Sequence, residues 1–141
     1  MRSPSGTQSG QALVEGAFIT LFLFVFLFAI FEGGRLIQVQ QAVTDAAREA
    51  ARRSIAPFTR TSTLATVGDV QGVAAAYLRA ASLDNTLATI TVNQNVTLSG
   101  STTVYTRVTV TYPYRIMTLR MFGMLNINLT GNSLMRNETS P

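Results

Sequence analysis

SGQALVEGAFITLFLFVFLFAIFEGG, Ser9 to Gly34, decides how this chain is organised. Sixteen uncharged residues run from Gly16 to Phe31, and counting back to Ala12 gives twenty with Glu15 near one end. A bilayer core of ~30 Å takes about 20 helical residues, so the run is just long enough to span if Glu15 sits at the interface. A secretory signal peptide would need a basic leader and a small-x-small cleavage site after a shorter apolar stretch. The leader here carries only Arg2, and FEGGRLIQVQ follows the apolar run. A retained membrane helix is the expectation, against the duller alternative of a core helix in a soluble protein. Positive charge lies on both sides, at Arg2 and at Arg35 and Arg48, so the positive-inside rule does not orient it.

Outside that segment the chain is a polar small domain. Six of the eight Phe fall between Phe18 and Phe31, and the 141 residues contain no Cys, His or Lys. Disulfides, thiol chemistry and thiolate metal sites are thereby excluded. The eleven arginines give a net charge of +4 but are dispersed, with only Arg48, Arg52 and Arg53 clustered. No nucleic-acid motif or stacking platform accompanies them, and solvated surface charge is the expected reading.

The helical pattern continues past Gly33 and Gly34 into RLIQVQQAVTDAAREAARRSIAP. Leu36, Val39, Val43, Ala46, Ala47 and Ala50 recur at helical spacing and form one face of mostly small residues. Asp45 with Arg48, and Glu49 with Arg52 and Arg53, are spaced to pair on the polar side. Pro57 stops the helix, with Ile55 or Ala56 as its last residue. The glycine pair weakens the helix and is a candidate bend or melted turn, or simply a tolerated pair. PFTRTSTLATVG reads as a loop. A second helix is expected from an Asp69 N-cap, with Val70, Val73, Ala74, Tyr77 and Ala81 along one face.

The period then changes to two. In ATITVNQNVTLSG, Ile90, Val92, Val96 and Leu98 share a face interrupted by Gln94. In VYTRVTVTY, Val104, Val108, Val110 and Tyr112 alternate with Tyr105, Arg107, Thr109 and Thr111, and Pro113 is expected to end the strand. MLNINLTG offers a shorter third strand with Leu125, Ile127 and Leu129 on one face. YRIMTLRMFG is ambiguous, with Ile116, Leu119 and Phe122 inward if it forms a helical turn. The tail after Arg136 is expected to fray. The predicted fold is α+β: a long N-terminal transmembrane and amphipathic helix, then a small domain with a second helix and a roughly three-stranded antiparallel sheet. Such a sheet needs a cover on its apolar face, which the two helices can supply. The three N-x-S/T matches, at Asn95, Asn128 and Asn137, read as chance.

Nothing in this inventory assembles a catalytic centre. Asp45 and Glu49 share a helix face with arginines around them, which reads as an ion-pair network, and no phosphate loop is present. No enzyme activity, metal or cofactor is expected.

SGQALVEGAF before an apolar helix resembles the amino terminus of type IV pilin-like precursors. GQALVEGAFITLFLFVFLFAIFEGGRL, DAAREAARR, a strand ending VTVTYPY, and TGNSLMRNE together resemble TadE-like proteins, pseudopilins of the tight-adherence (Tad/Flp) pilus machinery. Two departures are Gly16 after the glutamate, where relatives usually carry a larger apolar residue, and EGGR at the membrane exit. The resemblance implies a hydrophilic leader, 1–10, that a prepilin peptidase removes between Gly10 and Gln11. It implies a transmembrane segment at 11–32, a helical stalk at 33–56, an extracytoplasmic α+β domain at 57–138 and a tail at 139–141. It makes Glu15 the fifth mature residue, neutralising a neighbouring subunit's amino group and setting register. The alternative is an interfacial glutamate that protonates or reaches water. Phe18, Phe22 and Phe26 recur every four residues, available to pack on neighbouring helices or simply to face lipid.

By the same resemblance the protein is a non-enzymatic minor subunit or assembly factor of adhesive pili. It would reside in a bacterial cytoplasmic membrane as a single-pass protein, in or beside a cell-surface filament. Its partners would be the peptidase, other pilin or pseudopilin subunits and the inner-membrane assembly platform. The rivals are a major filament subunit, an unprocessed signal-anchored binding protein whose sheet captures a ligand, and a nucleic-acid binder using Arg48, Arg52 and Arg53.

Overall fold

The computed structural model describes residues 6–56, 64–100, 103–116 and 126–137. The expected leader residues 1–5, most of the 57–68 loop, the inward Leu119 and Phe122, Leu125 and the tail beyond 137 lie outside them. The elements are α1 (Gly6–Ile55), α2 (Val67–Ala80), a short 3-10 turn (Asn85–Leu87), β1 (Thr89–Thr97), β2 (Val104–Arg115) and β3 (Asn126–Arg136). The chain divides into two compact units, Met1–Arg35 and Leu36–Pro141.

The first unit contributes only the N-terminal part of α1 to the described structure. The second is an α+β domain. Its three strands form an antiparallel sheet in the order β1-β2-β3, each strand lying beside its neighbour in the sequence. One sheet face is apolar. Against it the C-terminal part of α1 contributes Val39, Val43, Ala46, Ala47, Ala50 and Ala51, all buried, and α2 contributes Val70, Ala74 and Leu78. The sheet supplies Val108, Val110, Tyr112, Tyr114 and Leu129. Each fully buried Val or Leu is worth roughly 1.5–3 kcal/mol relative to exposure. The alanines add little apiece, but their small size lets helix backbone approach strand closely.

The closest approach is at Gly131 in β3. A Cβ there would sit 2.5 Å from the Val43 carbonyl oxygen and 2.8 Å from Thr44 Cα. Beside it, Gln40 Nε2 donates to the Thr130 carbonyl at 3.1 Å. Glycine is thus required by space at this point, and the α1–β3 contact is made backbone to backbone.

Several expectations need correction. The N-cap of α2 is Thr66, not Asp69. The Thr66 hydroxyl accepts from the Asp69 N–H at 3.2 Å, while the Thr66 N–H donates to the Asp69 carboxylate at 3.1 Å. That is a reciprocal capping box with Asp69 at its third position. The inward face of α2 runs Val70, Ala74, Leu78; Tyr77 and Ala81 are exposed. The helix closes with Ser82 in the left-handed region at φ 59°, its N–H on the Arg79 carbonyl and the Leu83 N–H on the Leu78 carbonyl. This is a Schellman ending with serine where glycine is usual.

Strand β2 does not end at Pro113 but runs to Arg115. β1 begins opposite Thr111, so beyond that point one side of β2 has no neighbour among the described residues, and a missing N–H breaks no ladder bond there. β3 is longer than expected, eleven residues, with Leu129 buried and Ile127 at the exposed margin.

The largest correction is in β1. Its register shifts between Asn93 and Val96, where Gln94 and Asn95 together oppose Thr106. Asn93 pairs with Arg107 and Val96 with Tyr105, so Val96 lies on the face away from the core. Gln94 uses the bulge to donate to the Ala65 carbonyl at 2.7 Å, just before the α2 cap. A buried network closes this end of the domain: Thr106 Oγ1 donates to Asn137 Oδ1 at 2.6 Å, and Asn137 Nδ2 to the Gln94 carbonyl at 3.1 Å. Asn137 is 4% exposed, so the asparagine of that N-x-S/T match is buried.

Candidate functional site: the exposed apolar helix

Good helix formers and the absence of Pro from Gln11 to Ala56 allow α1 to run unbroken, and both Gly33 and Gly34 are helical within it. From Leu13 to Phe31 the large apolar side chains are exposed, with Phe18 at 60%, Phe22 at 72% and Phe26 at 63%. A helix that is apolar all round and covered by nothing belongs in an apolar solvent or against other helices. By length and composition α1 can cross a membrane. Its one internal hydroxyl is provided for: Thr20 Oγ1 donates to the Gly16 carbonyl at 2.8 Å, so no unsatisfied donor enters the apolar stretch.

At 3.6 residues per turn, Phe18, Phe22 and Phe26 lie within about 60° of Glu15 around the helix axis. Gln11 is one turn above Glu15 on the same side. The structure therefore places Gln11, Glu15 and the three phenylalanines along one face, with Gly10 and Glu15 both exposed. Gly16 opens a second, narrower strip with Ala12, Ala17 and Thr20. No atom lies within 4 Å of a Cβ built on Gly10, Gly16, Gly33 or Gly34. Among the described residues nothing packs into the space their smallness leaves. A feature to which the sequence reading gave no role is Glu32, the carboxylate at the far end of the apolar run, which is 8% exposed.

The clustered arginines fall elsewhere. Arg48 pairs with Asp45 at 3.3 Å and Arg52 with Glu49 at 2.6 Å, both i,i+3 on the polar side of α1. The Arg52 guanidinium, by hydrogen bond, holds the Glu49 carboxyl below its ordinary range. Of the expected pairings, Asp45–Arg48 and Glu49–Arg52 are present. They neutralise two of the three arginines that a nucleic-acid interface would use.

The geometry defines a class: a domain of two helical segments on a three-stranded sheet, carrying an uncovered apolar helix suited to span a bilayer. Residues 10–52 match the family of TadE-like proteins. The match starts at Gly10 and follows α1 through its ion-paired turns; the sheet lies outside it. No curated protein and no solved structure matches the chain.

Proposed function

We propose that this protein is a pilin-like membrane protein, a minor subunit or assembly factor of Tad/Flp-type adhesive pili, processed by a prepilin peptidase between Gly10 and Gln11. The observation that carries this reading is the junction of a Gly-Gln-x-x-x-Glu sequence with an uncovered apolar helix, inside the TadE-like match. Cleavage would make Gln11 the new amino terminus and leave Glu15 in the second turn of the mature helix. Orphan N–H groups and the positive end of the helix dipole favour a carboxylate near that terminus. A charged carboxylate at mid-membrane costs about 2.5–3.5 kcal/mol on insertion scales, and an ammonium group placed against it offsets that cost.

Gln11 and Glu15 share a face with the phenylalanine stripe, so a neighbouring helix packed on that stripe brings its own terminus within reach of Glu15. The C-terminal domain would lie outside the cytoplasm, with Gly33 and Gly34 available as a bend below it. The test uses Glu15→Leu and Glu15→Gln in cells that express the pilus machinery. Both variants should be cleaved normally, and neither should cross-link to neighbouring subunits through cysteines introduced at position 11. Wild-type levels of cross-linking in both would remove Glu15 from assembly.

A further inference from the structure

The sheet face turned away from the helices carries a composition that the assembly reading does not use. None of the three strands contains an Asp or Glu. The charges on that face are Arg107 and Arg115 on β2 and Arg136 on β3, all exposed. Among the described residues no carboxylate pairs with them, in contrast to Arg48 and Arg52 on α1. The bulge in β1 completes the arrangement. It brings Val96 beside Tyr105, and Arg136 stands directly across from Tyr105 on the other side. Arg107, two residues along β2, is flanked by Asn93 and Leu134. One end of the face is thus a tyrosine ring bracketed by two guanidinium groups. The next two rows, Thr91–Thr109–Asn132 and Thr89–Thr111–Thr130, present only hydroxyls and amides. Arg115 lies beyond them, eight residues from Arg107, or about 27 Å at strand rise.

We propose that this face is a binding strip for an acidic polysaccharide, a chain of sugars bearing carboxylates. Guanidinium forks at both ends suit carboxylates bidentately. Tyr105 offers a flat apolar surface for a sugar ring, and the intervening rows offer donors and acceptors for hydroxyls. The span between the arginines calls for an extended polymer and not a small anion. Single-stranded nucleic acid is served less well, because it stacks on successive aromatics and this face has one between its arginines. Two copies packed face to face would set arginines against arginines, which disfavours a self-interface. The inference is independent of whether the protein assembles into a filament.

The full chain in detergent micelles is titrated with oligogalacturonate, with neutral dextran and with a single-stranded oligonucleotide of equal charge. Oligogalacturonate should bind and dextran should not, with affinity falling as salt rises. The double variant Arg107→Gln/Arg136→Gln should weaken binding about tenfold or more, the loss of roughly 1.4 kcal/mol. Arg115→Gln should weaken it independently, and it carries the test if the double variant loses its strand signal in circular dichroism. Arg48→Gln/Arg52→Gln should leave binding unchanged. Failure of oligogalacturonate to bind, an equal effect of the α1 pair, or tighter binding of the oligonucleotide through the same three arginines would each overturn the proposal.

Discussion

Replacing Gly131 by alanine tests how the domain is held together. The new Cβ would meet the Val43 carbonyl oxygen at 2.5 Å and the Val43 carbonyl carbon at 2.8 Å, both backbone atoms that no rotamer change can move aside. Restoring ordinary contact at 3.4 Å requires α1 and β3 to separate by about 0.9 Å. The Gln40–Thr130 hydrogen bond, now 3.1 Å, would stretch toward 4 Å and lose about 1 kcal/mol. Overpacking of this kind costs about 1–3 kcal/mol. Against it stands about 0.5–1 kcal/mol from the lower chain entropy of alanine in the unfolded state. The net expectation is a loss of about 1–3.5 kcal/mol, or a melting point lower by roughly 4–28 °C for a domain of this size.

The assay is thermal unfolding of the full chain in detergent, followed by the tyrosine near-ultraviolet circular dichroism. All four tyrosines lie at or beyond residue 77, so the signal reports the second unit alone. Gly72→Ala is the control: it sits in α2 with open space around its Cβ position and should stabilise by about 1 kcal/mol. Trimming Val43 to alanine should not rescue Gly131→Ala, because the clash is with backbone. A melting point for Gly131→Ala within a degree or two of wild type would refute the close approach of α1 to β3.

Three further expectations follow from local geometry and use the same melting assay. Thr106→Val removes the donor to Asn137 Oδ1 and leaves a buried amide oxygen without its partner, at a cost of about 1–3 kcal/mol; an unchanged melting point would mean the network is not formed. Ser82→Gly relieves the left-handed position at the end of α2 and should stabilise by about 1 kcal/mol, with destabilisation as the contrary result. Thr66→Ala should cost about 1 kcal/mol as a lost N-cap. Hydrogen bonds from the Thr66 hydroxyl and N–H hold the Asp69 carboxyl below its ordinary value. Its contribution is therefore fully present above about pH 4 and is lost as pH falls through the lower folded value. Stability of Thr66→Ala should fall less steeply on acidification than that of wild type.

Much of this was legible in the order of residues. The inward stripe of α1 from Val39 to Ala50 follows from spacing alone, as do the Asp45–Arg48 and Glu49–Arg52 pairs. The alternation in β2 named its core face, with Tyr114 added once the strand proved longer. The failures have separate physical causes. Thr66 and Asp69 are both good capping residues three apart, and a capping box uses both, so choosing the acidic one misplaced the helix start. Pro113 signals a strand end by itself, because the sequence does not show that β1 stops short of it.

The bulge at Gln94 and Asn95 was hidden because polar residues continue the apparent alternation through it. Only the pairing of Val96 with Tyr105 reveals the change of face. The sequence does not mark Gly131, the last residue of MLNINLTG, as a point of close approach, since the helix backbone above it comes from nearly ninety positions earlier in the chain. At the apolar helix the residue types and their spacing were readable, and the structure adds that the phenylalanines, Gln11 and Glu15 share one side.

The proposed function requires the chain to become a mature pilin-like subunit that starts at Gln11. The most direct test is the amino-terminal residue, read by mass spectrometry from membranes expressing the chain with and without a prepilin peptidase, and repeated for Gly10→Ala. That substitution meets no atom within 4 Å, so it probes recognition and not folding. The expected result is a start at Gln11 that requires both the peptidase and Gly10. An intact Met1 or Arg2 start under every condition would contradict it.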